Sequence, residues 1–145
     1  MQVADSIIND LINKIYFLSK DVLEYYHYGL QESAYQAALI WELNHARIKT
    51  DFEQLFHQWY KNNRLEKAFR IDLVVADSII VELKTKEELT SEHRLQLFNY
   101  LRLVNMSWGV LLNFSPHGVE IERYHYDAAH NQMILFDRFG NSVFS

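Results

Sequence analysis

The segment Arg70–Lys86, RIDLVVADSIIVELKTK, contains the clearest structural pattern in this sequence. Two runs of Val, Ile and Leu flank the turn residues Ala76-Asp77-Ser78. Apolar, β-branched runs on either side of a short turn are typical of a β-hairpin whose strands are mostly buried. We therefore predict strands at about 67–75 and 79–84, and three charged residues lie within them: Asp72, Glu82 and Lys84.

The length of the turn determines which way these charges face. Side chains alternate between the two faces of a strand, so a three-residue turn pairs Val75 with Ile79 and sets Asp72 opposite Glu82. A two-residue turn would shift the register by one residue and put the two carboxylates on opposite faces. We prefer the three-residue turn because it keeps six apolar residues on one face: Ile71, Leu73, Val75, Ile79, Val81 and Leu83.

Two carboxylates facing each other across a hairpin need a compensating charge. At a Cβ separation of about 4.5 to 5.5 Å they repel unless a positive charge lies between them. Mg²⁺ binds one or two carboxylates together with waters and substrate phosphate, and Lys84 adds a further charge two residues beyond Glu82. This combination suits metal-assisted attack on a phosphodiester. The alternative is a solvated ion pair between strands, which contributes less than about 1 kcal/mol.

The rest of the chain predicts the order helix, helix, three strands, helix, strand, strand. Apolar residues recur at three- and four-residue spacing over 5–26, with Asp5 or Ser6 as N-cap, and again over 31–46 after Gly29. An irregular strand follows Ala46, and Thr90 or Ser91 caps a helix that runs to about residue 105. Strands are predicted at 108–114, covered on both sides, and at 119–126. Residues 131–145 are compatible with an edge strand whose place in the sheet stays open.

Composition limits the possible functions. The 145 residues, 49% of them hydrophobic, fit a single domain covering 1–145, and the absence of Cys excludes disulfides and thiolate metal sites. A net charge of −5 is unfavourable for holding nucleic acid by bulk electrostatics, so a phosphate partner needs a local basic patch or a bound cation. No P-loop motif, secretory signal or long apolar run is visible, and we expect a soluble cytoplasmic protein that does not bind membranes.

Three ordered motifs carry a resemblance to a known family. The segment GLQESAY, residues 29–35, is similar to the naming motif of the GxxExxY family of small bacterial proteins, which belongs to the PD-(D/E)xK nuclease superfamily. RIDLVV and IIVELK resemble the two-part core of that superfamily, with Ile71 in place of the proline. LTSEHRLQLFNYLRL and LLNF resemble the helix and strand that follow it. The resemblance covers about residues 10–123, and the extension at 127–145 has no recognisable counterpart.

The resemblance implies an α/β fold with a restriction-endonuclease-like core, a mixed β-sheet flanked by helices. It also implies Mg²⁺ or Mn²⁺ held by Glu32, Asp72 and Glu82, with Lys84 as catalytic lysine and Gln96 as an accessory catalytic residue. Glu32 also fits a purely structural role, because a carboxylate in the first turn of a helix is stabilised by the helix dipole without any metal. Gln96 could equally be a helix-face residue that bonds to the sheet.

Four residues are candidates for binding substrate. Arg64, Lys67 and Arg70 surround the turn before the hairpin and could contact phosphates, although a solvated strand face is an equal alternative. Tyr35 could contact substrate or serve as a core aromatic. We predict a metal-dependent nuclease that acts on nucleic acid, with DNA favoured over RNA as the substrate. It could act as a homodimer. The alternative is an inactive module of the same fold that binds nucleic acid or a protein partner.

Overall fold

The computed structural model describes residues 4–143, which form one six-stranded sheet with helices on both faces. The strands lie in the order β1-β2-β3-β4-β5-β6, and only β3 and β4 run parallel, so the sheet is mixed as expected. None of the described helices is long and apolar enough to cross a membrane. In chain order, the elements are α1 (Ser6–Tyr26), α2 (Glu32–His45), β1 (Thr50–Tyr60), β2 (Asn63–Val75), β3 (Ile79–Lys84), α3 (Ser91–Leu103), β4 (Trp108–Ser115), β5 (Gly118–Asp127) and β6 (Gln132–Phe136).

The helices begin at the caps that the sequence contains. Asp5 caps α1, its side chain accepting from the backbone N–H groups of Ile7 and Ile8, and Thr90 caps α3 in a reciprocal capping box with His93. Between α1 and α2, Gly29 has a φ of +120°, a conformation that favours glycine. The predicted break between the two helices is therefore confirmed.

The three-residue turn of the hairpin is also confirmed. Val75 pairs with Ile79, and the ladder continues to Leu73 and Val81, where the pairing of β2 with β3 ends. Beyond that point the backbone N–H of Leu83 donates to Asp72 Oδ2 at 3.0 Å, so a side chain takes over from the ladder. The two strands separate at Asp72, and the position of the side chains after it no longer follows from paired alternation.

This separation explains one wrong prediction. Ile71 does not share the face of Leu73; it is buried in the cluster that packs under α3 together with Val74 and Ile80. Strict alternation holds where a strand is paired on both sides, and Ile71 lies outside that region. The other five residues of the predicted apolar face do form one cluster with α1 and α2: Leu73, Val75, Ile79, Val81 and Leu83.

The two apolar clusters lie on opposite faces of the sheet. On one face α1 and α2 cover the sheet with Ile12, Ile15 and Leu39, and on the other α3 covers it with Leu97 and Leu101. From Gly109 to Ser115, β4 is buried throughout, which confirms the prediction that this strand is covered on both sides.

Both edges of the sheet differ in detail from the prediction. β6 pairs with β5 and forms one edge, so the C-terminal segment does contain an edge strand; residues 144 and 145 of that segment lie outside the described residues. At the other edge, β2 begins at Asn63 rather than near Lys67, because Asn63 and Arg64 pair with Tyr60 and Trp59 of β1 despite their polar character. Residues 54–71 therefore form a mostly exposed two-stranded extension, here called the β1–β2 arm.

Candidate active site

Acidic side chains meet where β2 separates from β3. Asp72 directly precedes Leu73, and Glu82 directly follows Val81, which form the last pair of the hairpin. Asp72 is half-buried and Glu82 is only 3% exposed, and the charge of Asp72 raises the pKa of Glu82. The fold therefore brings together the two carboxylates that the three-residue turn predicted.

Glu32, Asp72 and Glu82 are here called the acidic group, and Glu82 has the most strongly shifted pKa of the three. Burial raises its pKa to about 8, and the charges of Asp72 and Glu32 act in the same direction against the opposing charge of Lys84. Its Oε1 atom is buried without a hydrogen-bond partner among the described residues. A buried oxygen left unpaired costs about 1 to 3 kcal/mol, so Glu82 holds an acceptor suited to a cation or a proton donor.

Glu32 is the first residue of α2, where the helix dipole alone would lower a carboxyl pKa. Its pKa is instead raised, first by burial and next by the charge of Asp72. Burial and the neighbouring carboxylate thus outweigh the helix dipole, which means that Glu32 belongs to the acidic group rather than acting only as a favourable helix-terminal charge.

Lys84 supplies positive charge to the same place. Its charge lowers the pKa values of Glu32, Asp72 and Glu82, in each case against a larger effect of burial. The ammonium group donates a 2.8 Å hydrogen bond to Gln96 Oε1 on α3. The predicted neighbours Lys84 and Gln96 are therefore in direct contact.

Residues around Lys84 restrict its position. Gln96 lies 3.5 Å from the hydroxyl of Tyr100, one turn further along α3, to which its amide donates. On the next strand, the buried amide of Asn113 accepts from Lys86 N at 2.8 Å and donates to Lys86 O at 2.9 Å. Lys84 is therefore restrained on one side by Gln96 of α3, and the backbone two residues after it is held by Asn113 of β4.

Two further residues of this site, Glu53 and Gln36, were not predicted from the sequence. Glu53 lies on β1 between the pairs Phe52–Leu73 and Gln54–Ile71, which places it beside Asp72, and its charge raises the pKa of Asp72. Gln36 donates to Glu53 Oε1 at 3.2 Å and to Asp72 O at 2.9 Å. Gln36 lies one helical turn after Glu32, a signal the sequence contains. Glu53 could be found only from the pairing of β1 with β2.

Tyr35 is not available for substrate, which corrects its assignment as a substrate-binding residue. The ring is fully buried and stacks on Phe114 with centroids 4.6 Å apart. Its hydroxyl donates to His27 O and accepts from Leu30 N, so it joins α2 to the segment between the helices. The tyrosine of the GLQESAY segment is a core residue here.

The three predicted basic contacts lie on the β1–β2 arm at increasing distance from the acidic group. Arg70 is near, and its guanidinium donates to Glu53 O at 2.9 Å. Lys67 lies over the ring of Phe69, five residues from Asp72, and Arg64 lies eight residues from it. At about 3.3 Å per residue, these separations are roughly 17 and 26 Å along the strand. Lys67 and Arg64 can contact only parts of a substrate remote from the acidic group.

The acidic group fits a divalent cation in part. Among residues 4–143, no three His, Asp or Glu side chains are gathered closely enough to hold a metal ion together. Mg²⁺ requires only one or two carboxylates when waters and substrate phosphate complete its shell. The unpaired Oε1 of Glu82 beside Asp72 meets that requirement, and Glu32 lies close enough to affect both electrostatically.

Comparison with known proteins identifies the family. A family model described as PD-(D/E)XK nuclease superfamily matches residues 9–124. The chain belongs to the PD-(D/E)XK nuclease superfamily. The match covers most of α1 through most of β5, and so includes Glu32, Asp72 and Glu82 together with Lys84 and Gln96. The mixed sheet with three helices is the restriction-endonuclease-like fold of this superfamily, as predicted.

More specific relationships are weak. No curated protein matches significantly. One solved structure, titled "Crystal structure of SSO0001", aligns with a TM-score of 0.47 and 18% identity over 79% of this chain and 80% of the other. Membership of the GxxExxY family within the PD-(D/E)XK superfamily stays a prediction.

Proposed function

We propose that this protein is a metal-dependent nuclease that hydrolyses phosphodiester bonds of nucleic acid, with DNA as the preferred substrate. Its membership of the PD-(D/E)XK superfamily supports nuclease activity. The observation that carries the proposal is the buried, unpaired Oε1 of Glu82 beside Asp72, with Lys84 held next to them by Gln96.

The side chains divide into three roles. Asp72 and Glu82 would hold Mg²⁺ or Mn²⁺, and Glu32 would add negative charge or accept a hydrogen bond from a water bound to the cation. A bound cation of this kind polarises a phosphoryl oxygen and lowers the pKa of a water molecule. Lys84 donates to a non-bridging phosphate oxygen and stabilises the charge that develops there. Gln96 is a positioning residue, because it holds the ammonium group of Lys84 through a hydrogen bond.

Electrostatics supports the choice of a cation as the missing partner. The pKa values of Glu32, Asp72 and Glu82 are all raised, that of Glu82 to about 8, and the charge of Lys84 only partly opposes this effect. A divalent cation provides that compensation and brings phosphate oxygens to the same place. The alternative of a solvated ion pair is poorly supported, because Glu82 is buried.

Cleavage by the purified protein tests the proposal. We expect the parent protein to cut single-stranded or duplex DNA in the presence of Mn²⁺ and to lose activity in EDTA. Lys84→Ala should reduce the rate by about 100-fold or more, the range seen when a donor to developing charge is removed. Lys14→Ala is the matched control, since it removes a lysine of α1, away from the acidic group. An RNA of the same sequence tests the preference for DNA.

The second candidate function is a non-catalytic module that binds nucleic acid or a protein partner. The observation in its favour is the net charge of −5 on a chain of 145 residues, which leaves a lone domain little surface for a duplex. Formation of a homodimer would supply more surface and is also a proposal. Absence of cleavage in every metal tested, together with absence of Mn²⁺ binding, would overturn the nuclease and favour this module.

A further inference from the structure

A second feature lies on the face of the sheet that α1 and α2 cover, where α1 faces β5 and the segment after β6. A cavity of about 650 Å³ opens there, lined by aromatic and basic side chains. This volume is in the range of sites for small organic ligands. Nothing in the proposed nuclease chemistry uses it.

Arg123 is the unusual residue of this cavity. It is only 4% exposed, yet no carboxylate among residues 4–143 forms an ion pair with it. Its guanidinium donates to the neutral side-chain oxygen of Asn9 at 3.2 Å. A guanidinium carries five N–H donors, and this is the one side-chain hydrogen bond that Arg123, a lining residue of the cavity, makes within residues 4–143. Burial lowers the pKa of Arg123, which agrees with a charge that lacks full compensation.

Two further cations line the same space, Lys20 on α1 and Arg138 after β6. Neither has a carboxylate partner in the described part of the chain. Asp137 is the carboxylate of the lining, and its Oδ1 already accepts from the backbone N–H groups of Phe139 and Asn141. Three cations against one carboxylate leave an excess of positive charge in a protein whose net charge is −5. A phosphate monoester, with a charge of about −1.5 to −2 at pH 7, matches that excess better than a single carboxylate does.

The walls of the cavity are aromatic. Lys20 lies over the rings of Tyr16 and Phe17, and Arg138 lies over the ring of Phe139. These stacks fix each cation against an apolar, flat surface. A ligand that fills the space therefore presents an aromatic or flat apolar part as well as an anion.

The rim of the cavity is braced rather than loose. Asn9 and Asn13 of α1 both donate to the backbone oxygen of Arg138, at 3.1 and 3.2 Å. Ala4 N donates to Gly140 O at 2.7 Å. The backbone of the turn that carries Arg138 and Phe139 is thus tied to α1 at several points before a ligand enters.

We propose that this cavity binds a nucleotide, with its phosphate on Arg123, Lys20 and Arg138 and its base against the aromatic wall. The site is separate from the candidate active site. Arg123 pairs with Val110, Val110 with Val81, and Val81 with Leu73, a row of side chains on the face covered by α1 and α2. Lys84 instead contacts Gln96 of α3 on the opposite face. The inference does not rest on the proposed nuclease activity.

Isothermal titration calorimetry of the full chain with AMP tests this site, and EDTA in the buffer removes any divalent metal. We expect AMP to bind at least about tenfold more tightly than either adenosine or inorganic phosphate, because only AMP has both parts. Lys20→Gln and Arg138→Gln should each weaken AMP binding by about tenfold. Lys14→Gln, the same change at a position of α1 outside the cavity, should leave it unchanged.

Two further variants test the charge balance of the cavity and its independence from the candidate active site. Asp137→Asn should strengthen AMP binding, because it removes the opposing carboxylate while keeping an oxygen that accepts from Phe139 N and Asn141 N. The Lys84→Ala protein should bind AMP as tightly as the parent does, because Lys84 does not line this cavity. The outcome of the titration is therefore independent of whether the protein is a nuclease. The proposal would be overturned if the parent did not bind AMP, or if it bound inorganic phosphate as tightly as AMP. It would also be overturned if the Lys20→Gln and Arg138→Gln proteins bound AMP as tightly as the parent does.

Discussion

Glu82 determines how the candidate active site responds to pH. Its carboxyl group is buried, one oxygen has no partner among the described residues, and its pKa is raised to about 8 from a normal value of 4.5. Without a cation, the neutral acid is the form that the folded protein accommodates at neutral pH. Binding a divalent cation requires the carboxylate, so metal affinity should increase as pH rises towards and above 8.

The first prediction concerns stability in metal-free buffer. The folded state keeps a proton on Glu82 between pH 4.5 and about 8 that the unfolded chain releases, so this group stabilises the fold at low pH and loses that effect as pH rises. In EDTA the Tm of the parent should fall by several degrees between about pH 5.5 and 8.5. The Tm of the Glu82→Gln protein should fall less, because glutamine mimics the neutral acid. This variant should therefore be more stable than the parent at the upper end of this interval. A Tm of the parent that rises over the same interval would contradict the raised pKa.

At the level of elements, the connection between α1 and α2 positions Glu32. Tyr35 lies one turn after Glu32, and its hydroxyl bonds to His27 O and Leu30 N across that connection. The ring stacks on Phe114 of β4 and fixes the helix to the sheet. The GLQESAY segment thus has a physical basis here, with a turn glycine, an acidic site residue and a buried tyrosine that holds the turn.

Tyr35→Phe should therefore destabilise the protein without removing the stacking. Loss of the hydroxyl removes two partly buried hydrogen bonds, one to His27 O and one from Leu30 N, and we expect a decrease of about 0.5 to 1.5 kcal/mol in the free energy of unfolding. Urea denaturation measures this change. Tyr25→Phe, at a tyrosine of α1 that is 79% exposed, is the control and should change stability by less than about 0.5 kcal/mol. Equal effects of the two substitutions would show that the hydroxyl of Tyr35 has no structural role.

The β1–β2 arm carries basic residues that lie far from the acidic residues of the candidate active site. Arg64 lies far along the arm from Asp72, so any phosphate it contacts is remote from the scissile bond. Arg64→Gln should weaken DNA binding and reduce the slope of log K against log salt by about one unit, while the cleavage rate at saturating DNA stays near that of the parent. Fluorescence anisotropy at several salt concentrations measures the slope, with Lys14→Gln as control. An unchanged slope would assign Arg64 to the solvated strand face.

At the scale of the whole molecule, the sequence predicted what depends on local pattern. Helix caps, the three-residue turn and the buried strand β4 follow from neighbours in the chain, and they were predicted correctly. Glu53 and Arg123 were not predicted as site residues, because their surroundings depend on pairing between strands and on α1 packing against β5. Ile71 was misplaced for a related reason, since the separation of β2 from β3 is a tertiary feature. Periodicity does not carry that information.

The last prediction uses the stability of the whole chain to report on the metal. A cation that binds only the folded state raises the free energy of unfolding by about 2.7 kcal/mol at a concentration roughly 100 times its Kd. We therefore expect Mn²⁺ to raise the Tm of the parent by at least about 2 °C at a pH of about 8. Asp72→Asn should abolish this rise while keeping an oxygen that can accept from Leu83 N, so the hairpin is preserved.

Glu88→Gln removes an exposed carboxylate between β3 and α3 and should respond to Mn²⁺ as the parent does. A rise that persists in Asp72→Asn but disappears in another acidic variant would place the metal elsewhere. No rise in the parent at any Mn²⁺ concentration would leave Glu82 without a cation. Only bound protons and the charge of Lys84 would then oppose the repulsion among the carboxylates around Glu82, and metal-dependent activity would not be expected.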